Sequence, residues 1–145
     1  MGDTFSSSKD YDIRSVLRLR EELEGLDADV RYWTEVIEDF SHYDSEGGGQ
    51  SFGNPKENAI VRRADALSSL DGVRMKLSDA ESVLTERIAH LDVRAEVRRA
   101  TYLFFVQGYS LDYIGELMVY SKTQVHRLKE QGRESYEERY VQGRD

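Results

Sequence analysis

Side chains that can contact phosphate groups or base edges cluster late in the sequence, in the segment GYSLDYIGELMVYSKTQVHRLK at residues 108–129. Ser121 has the chemistry of a helix N-cap, and Val125 and Leu128 are spaced to face inward on the helix that would follow it. The opposite face then carries polar side chains suited to phosphate oxygens and base edges, namely Lys122, Thr123, Gln124, His126, Arg127 and Lys129. Because the N-terminal end of a helix also attracts anions, the pattern favours nucleic-acid contact.

Other site chemistries have little support in the sequence. The chain has no cysteine, which excludes disulfides and thiolate ligands, and its three histidines at 42, 90 and 126 never take the i, i+4 spacing of a helical metal site. The adjacent carboxylates Glu21 and Glu22 diverge on a helix. Nothing around His126 supports a general base. We therefore expect no enzymatic activity, no metal and no cofactor.

Two short helices and a turn would position the polar cluster. Ser110 can cap the first helix, whose Ile114 and Leu117 point inward, and Gly115 is a small residue at which a second helix could cross closely. Val119 and Tyr120 form a short turn before Ser121, so the segment follows the order of a helix-turn-helix. A preceding helix, expected to be capped by Asp92 and ended by Gly108, completes a domain over 92–145, with Glu137, Glu138 and Arg139 in an exposed tail.

A heptad stripe dominates the first helix, predicted over 12–42. Its apolar residues recur at spacings of 3 and 4, and such a stripe must face another helix rather than water. We expect it to drive oligomerisation through Leu19, Leu23, Leu26, Val30, Trp33, Ile37 and Phe40. The stripe alone leaves open whether pairing occurs within or between chains.

A second long helix is predicted to begin at Asn54-Pro55, where asparagine caps and proline suits the first turn. Its apolar positions are Ile60, Ala64, Leu67, Leu70, Val73, Leu77, Ala80, Leu84, Ile88 and Leu91. A glycine-rich loop at 44–54 separates the two long helices, which favours an antiparallel, coiled-coil-like hairpin over 11–91. Residues 1–10 are expected to form a disordered leader.

Charge is distributed unevenly over the 145 residues. The net charge of −8 argues against a nucleic-acid binder, but residues 1–92 hold 11 basic and 20 acidic side chains, whereas residues 93–145 hold 9 and 8. Mean hydropathy is −0.66, and no run of about 18 apolar residues or apolar leader segment occurs. We expect no membrane association and a cytoplasmic location.

The C-terminal segment resembles region 4 of bacterial sigma factors, and more closely the sigma-region-4-like domain of small phage and prophage regulators. The resemblance rests on Gln107-Gly108-Tyr109-Ser110-Leu111, Ile114-Gly115-Glu116-Leu117 and Tyr120 to Leu128, within about 45 residues that start at Asp92. Gly115 stands where the family has alanine. Val119 stands where the family has a turn glycine, so the turn should take a less common geometry.

The resemblance implies a sequence-specific DNA-binding transcriptional regulator that reads the major groove with helix 121–131, in the cytoplasm of a bacterial host cell. It carries over Lys122, Thr123, Gln124, His126 and Arg127 as base or phosphate contacts, and Ser110 and Tyr120 as phosphate contacts. The implied partners are double-stranded DNA, RNA polymerase and a second copy, since a dimer matches a two-fold site.

Two other functions are open at this stage. A phage small terminase also joins a helix-turn-helix to a coiled-coil element but assembles as a ring. A protein that binds RNA polymerase or a sigma factor through the acidic hairpin would ignore DNA altogether.

Overall fold

The fold is all-α. The computed structural model describes residues 11–44 and 54–142, with side chains at 11–42 and 54–141, and contains no strand in those ranges. Its helices are α1 (Ser15–Asp44), α2 (Pro55–Ala89), α3 (Ala95–Phe105), α4 (Leu111–Met118) and α5 (Lys122–Glu137), followed by a π-helical turn at Glu138–Gln142. The predicted leader 1–10 and residues 45–53 of the predicted glycine-rich loop lie outside the described residues.

Tertiary contacts divide the chain into two compact units. Among the described residues, the terminal unit combines 11–18 with 77–142, and the arm unit comprises 19–44 and 54–76. The boundary predicted at residue 91 therefore differs from the observed one. The reason is packing at the start of α1: Ile13 and Val16 are buried, and the Arg14 guanidinium lies 5.5 Å from the centre of the Phe105 ring.

Within the arm unit, α1 and α2 contact each other through side chains. The Arg62 guanidinium lies 5.6 Å from the centre of the Trp33 ring, and Arg63 donates a hydrogen bond to the Thr34 hydroxyl at 3.4 Å. Each residue of the heptad stripe is only half-buried, namely Leu19, Leu23, Leu26, Val30, Trp33, Ile37 and Phe40. A single chain thus shields the stripe in part.

The buried face of α2 differs from the predicted one in the arm unit. Ile60, Ala64 and Leu67, predicted as core, are exposed. Ala59 and Ala66 are buried in their place, whereas the predicted core positions Leu70 and Val73 are confirmed. This register follows from the contact with α1, because Arg63, which bonds to Thr34, lies on the face that begins at Ala59. In the terminal unit the predicted core positions of α2 are confirmed at Ala80, Leu84 and Ile88.

Helix ends follow local hydrogen bonding. Asn54 caps α2 as predicted, since its side-chain oxygen accepts from the backbone N–H groups of Lys56 and Glu57 at 3.1 and 3.4 Å. The prediction that Asp92 caps α3 is wrong, because the N-cap residue is Arg94 and makes no side-chain cap. The preceding linker is instead held by Arg98, which donates to the carbonyl oxygens of Leu91 and Val93.

The predicted exposed tail is confirmed at Glu138 and Arg139 but not at Glu137, which is half-buried, and the described C-terminal segment makes contacts with the rest of the terminal unit. Tyr136 is fully buried, and its hydroxyl donates to the carbonyl oxygen of Tyr11 at 2.8 Å and accepts from Arg87 at 2.9 Å. Arg139 donates to the carbonyl oxygen of His90, and Glu137 forms an ion pair with Arg133 at 2.8 Å. Glu138 is exposed, as expected.

Candidate nucleic-acid interface

The first helix of the motif, α4, begins as the sequence predicts, but only one of its two predicted core residues is buried. The Ser110 side chain accepts a hydrogen bond from the Tyr113 backbone N–H at 3.1 Å, which caps the helix. Gly108 has a φ of 75°, the left-handed geometry that suits the reversal after α3. Ile114 is fully buried, but Leu117, expected to point inward, is 49% exposed.

The turn between α4 and α5 depends on one unusual backbone conformation. Val119 takes φ 61° and ψ 48°, and it is the non-glycine residue with positive φ in the described chain. This conformation lets the Tyr120 N–H donate to the Gly115 carbonyl oxygen at 2.9 Å. A β-branched residue is strained there. The less common turn geometry predicted for Val119 is therefore confirmed.

Gly115 is small because the turn backbone folds against it. A Cβ atom at this position would lie 2.7 Å from the carbonyl oxygen of Tyr120, closer than van der Waals contact allows. The sequence predicts a crossing helix next to Gly115. The near neighbour is instead the carbonyl of the turn, so glycine at 115 and left-handed Val119 belong to one compact turn.

The recognition-helix candidate, α5, starts with a reciprocal capping box. The Ser121 hydroxyl accepts from the Gln124 N–H at 3.1 Å, and the Gln124 side-chain oxygen accepts from the Ser121 N–H at 2.9 Å. The Ser-x-x-Gln pattern is a known signature of this cap, and it could have been read from the sequence. Gln124 is thus a helix-capping residue whose carboxamide oxygen is already engaged.

The inward face of α5 fixes the helix against α3. Val125 is fully buried. Leu128 is 7% exposed and packs in a cluster with Val97 and Ala100 of α3. One helical turn later, Gly132 lies so close to Thr101 that a Cβ atom there would sit 1.7 Å from the threonine hydroxyl. This contact fixes the position of α5 against α3.

The outward face of α5 presents the predicted polar side chains at its N-terminal half. Lys122, Thr123, His126 and Arg127 are all exposed. Within the described parts of the chain, the ion pairs include neither Lys122 nor Arg127, whereas Arg133 further along α5 is paired with Glu130 and Glu137. Two cations, a hydroxyl and an imidazole are therefore available next to the capped end of a helix.

Lys129 is not part of this surface, so its prediction as a DNA contact is wrong. It is 7% exposed, its ammonium lies 4.6 Å from the centre of the Phe104 ring, and it pairs with Glu130 at 3.0 Å. Hydrogen bonds from Lys129 and then Arg133 lower the pKa of Glu130 to about 2. The spacing from Val125 through Gly132 already places residue 129 on the packed side of α5.

The two residues expected to contact phosphate differ in exposure. Ser110 is exposed, although its oxygen already accepts the cap hydrogen bond from Tyr113. Tyr120 is half-buried and packs against the cluster of Val97, Ala100 and Leu128. The Tyr120 ring therefore supports the turn.

An open groove of about 810 Å³ runs along the turn, and its two walls differ in charge. Lys122 lies on the α5 side, whereas Asp112 and Glu116 lie on the α4 side. Because carboxylates repel phosphate, the surface suited to a polyanion is confined to the N-terminal half of α5.

Neither a metal site nor a bilayer-spanning helix is found in the described ranges. No cluster of three or more histidine, aspartate and glutamate side chains there could hold a metal ion. None of the helices in those ranges has the length and apolar run needed to cross a bilayer. Comparison with protein-family models, with curated proteins and with solved structures found no match to this chain.

Proposed function

We propose that this protein is a sequence-specific DNA-binding transcriptional regulator of the phage and prophage type, which inserts the N-terminal half of α5 into the major groove. One observation carries the proposal: Lys122, Thr123, His126 and Arg127 are exposed near the capped start of α5, whose opposite face packs against α3. Residues near the N-terminus of a recognition helix are the ones that reach base edges.

The polar side chains divide by chemistry into two roles. Lys122 and Arg127 carry the positive charge that phosphate requires, and arginine can also pair with guanine. Thr123 and His126 offer hydrogen-bonding groups and, for threonine, a methyl that can contact thymine. Gln124 contributes through its cap, which holds Lys122 and Thr123 at the helix start.

The charge balance implies modest affinity for one copy of the chain. Residues 93–145 carry nine basic and eight acidic side chains, so attraction to DNA depends on a few local cations rather than on the whole domain. A second copy would raise the affinity by providing a second α5 for a two-fold site. The proposed setting is the cytoplasm of a bacterial host, with RNA polymerase as a further partner.

The test is selection of duplexes from a random pool, followed by fluorescence anisotropy titration of the selected duplex. We expect affinity to fall steeply between about 50 and 200 mM salt, as counterion release requires. Combining Lys122→Ala with Arg127→Ala should weaken binding at least tenfold and lower the salt slope by about two.

The matched control removes the same charge elsewhere. Arg94 and Arg99 are exposed basic residues outside both α5 and the arm unit, so Arg94→Ala with Arg99→Ala lowers the net charge equally. This control should bind as the parent does. Equal weakening by both double variants would show a non-specific charge effect and contradict the assignment of α5.

One observation favours an alternative, a protein that binds RNA polymerase or a sigma factor. Tyr113 and Leu117 lie on one face of α4 and are 45% and 49% exposed, and Tyr109 just before the helix is 37% exposed, with the two tyrosine rings 4.9 Å apart. Exposed aromatic residues are typical of protein interfaces. A chain that selects no duplex but captures polymerase would support this alternative.

A ring of many copies would support the small-terminase function.

A further inference from the structure

The arm unit carries a second apolar row that the chain itself leaves uncovered. Ile60, Ala64 and Leu67 recur at i, i+4 and i+7 on α2 and form what we call the α2 outer row. Ile60 is 47% exposed and Leu67 is 41% exposed, and Val61 beside them is 56% exposed. Spacing of this kind is typical of a helix face that packs against another helix.

The heptad stripe of α1 is incompletely covered as well. Its seven residues are half-buried, although α1 already contacts α2 through Trp33 and Thr34. Both helices of the arm unit therefore retain apolar surface after pairing. Burying it would lower the free energy by about 25 cal/mol for each Å² removed from water.

Charge indicates which surface covers the α2 outer row. Residues 19–44, in α1, carry nine acidic and two basic side chains, whereas residues 55–76, in α2, carry three acidic and five basic ones. An α1 helix from another molecule of this chain therefore complements α2 in both apolarity and charge. Contact of α1 with a second α1 would bring like charges together.

We propose that the arm unit is a pairing site for a second copy of this chain, in which α1 of each copy packs on the α2 outer row of the other. The contact is isologous, because each copy supplies both surfaces, and it closes as a two-fold pair. Pairing involves no residue of α5, so it goes beyond DNA binding and can hold or fail separately from it.

The experiment is light-scattering mass determination of the full chain without DNA, across micromolar concentrations. The parent should have twice the 16.7 kDa mass of one chain. Combining Ile60→Glu with Leu67→Glu should shift the chain to the single-copy mass, or weaken pairing at least tenfold. Circular dichroism should show unchanged helix content, because both side chains are exposed within one chain.

A control variant adds one negative charge on the other side of α2. Ser69 is exposed and lies two residues from Leu67, on the opposite side of the helix. Ser69→Glu should keep the double mass. Ile60→Ala with Leu67→Ala, which adds no charge and favours helix, should also weaken pairing.

Charge reversal on α1 tests which helices meet. Glu35 and Glu38 are exposed on α1, and Glu35→Lys with Glu38→Lys should weaken pairing several-fold if α1 packs on the basic α2. Stronger pairing in this variant would indicate contact of α1 with α1 and overturn the proposal. A parent of single-copy mass, a parent of four or more copies, or an outer-row variant that still pairs would overturn it too.

Discussion

Val119 holds the turn of the motif in a conformation that its side chain disfavours. A β-branched residue at φ 61° places its Cβ against the backbone, and 86% exposure of the side chain means that little packing compensates. Strain of this kind amounts to about 1–3 kcal/mol. It is localised where α5 is positioned relative to α4, so the residue matters for the candidate interface.

Replacing Val119 with glycine should stabilise the protein. Glycine adopts this conformation without strain, and after its larger loss of backbone entropy the net gain should be about 1 kcal/mol. Chemical denaturation followed by circular dichroism measures the change. Val119→Ala retains a Cβ and should gain less. A destabilised Val119→Gly variant would show that the valine side chain makes contacts of its own.

α3 and α5 cross at close range in the terminal unit. Gly132 lies on Thr101, which is itself fully buried and donates to the Val97 carbonyl oxygen at 2.6 Å. Moving the two helices apart would separate Leu128 from Val97 and Ala100. The position of α5, the recognition-helix candidate, thus depends on having glycine at position 132.

Gly132→Ala should therefore destabilise the fold by several kcal/mol, since the new methyl would overlap the Thr101 side chain. Gly25→Ala and Gly72→Ala are matched controls, because no atom lies within 4 Å of a Cβ at either helical position. Both should stabilise by about 0.5–1 kcal/mol through helix propensity. The melting temperature should thus fall for Gly132→Ala and rise for Gly25→Ala and Gly72→Ala. Similar small shifts in all three would contradict a tight crossing.

Sequence patterns predicted most elements correctly, for identifiable reasons. The caps at Asn54, Ser110 and Ser121 are local hydrogen bonds, and the residues that form them lie within three positions of each other. The outer surface of α5 followed from the spacing of Val125 and Leu128.

Predictions failed where tertiary contact chose between adjacent faces. On α2, rows starting at Ala59 and at Ile60 both look apolar, and contact with α1 decided that the first is buried. Lys129 was placed in solvent because of its charge, although the Phe104 ring and Glu130 accommodate it inside. The helical period alone does not choose between the two faces of α2, whereas it does place residue 129 on the packed side of α5, where the charge of lysine was misleading.

At the scale of the whole molecule, the terminal unit joins the two ends of the described chain. Arg87 of α2 donates to both the Tyr136 hydroxyl and the Tyr11 carbonyl oxygen, and its guanidinium lies 4.7 Å from the centre of the Tyr140 ring. Burial raises the pKa of Tyr136, with the opposing hydrogen bond from Arg87 as the smaller effect. The segment just before α1 is thus hydrogen-bonded to the C-terminal part of α5.

Tyr136→Phe should lower the free energy of unfolding by about 1 kcal/mol, because one hydroxyl hydrogen bond is lost and Arg87 loses an acceptor. The variant should also respond differently to base. Since the folded pKa of Tyr136 exceeds the unfolded value, the folded state binds its proton more tightly, and stability falls as pH rises above about 10.

Denaturant titrations at pH 8 to 11 measure this difference. The parent should lose its advantage over Tyr136→Phe as pH rises above 10. A constant difference over that range would show that the hydroxyl is not held protonated by its buried surroundings.

The central proposal concerns which surface meets DNA, and backbone amide chemical shifts of the labelled chain test it most directly. On addition of a selected duplex, we expect the largest chemical-shift changes at residues 121–127. Residues 109–117, in and just before α4, and the arm unit should change little. The variant that combines Lys122→Ala with Arg127→Ala should show no such chemical-shift changes at the same concentrations. Changes centred on Tyr109, Tyr113 and Leu117, or no changes with any duplex, would contradict the account.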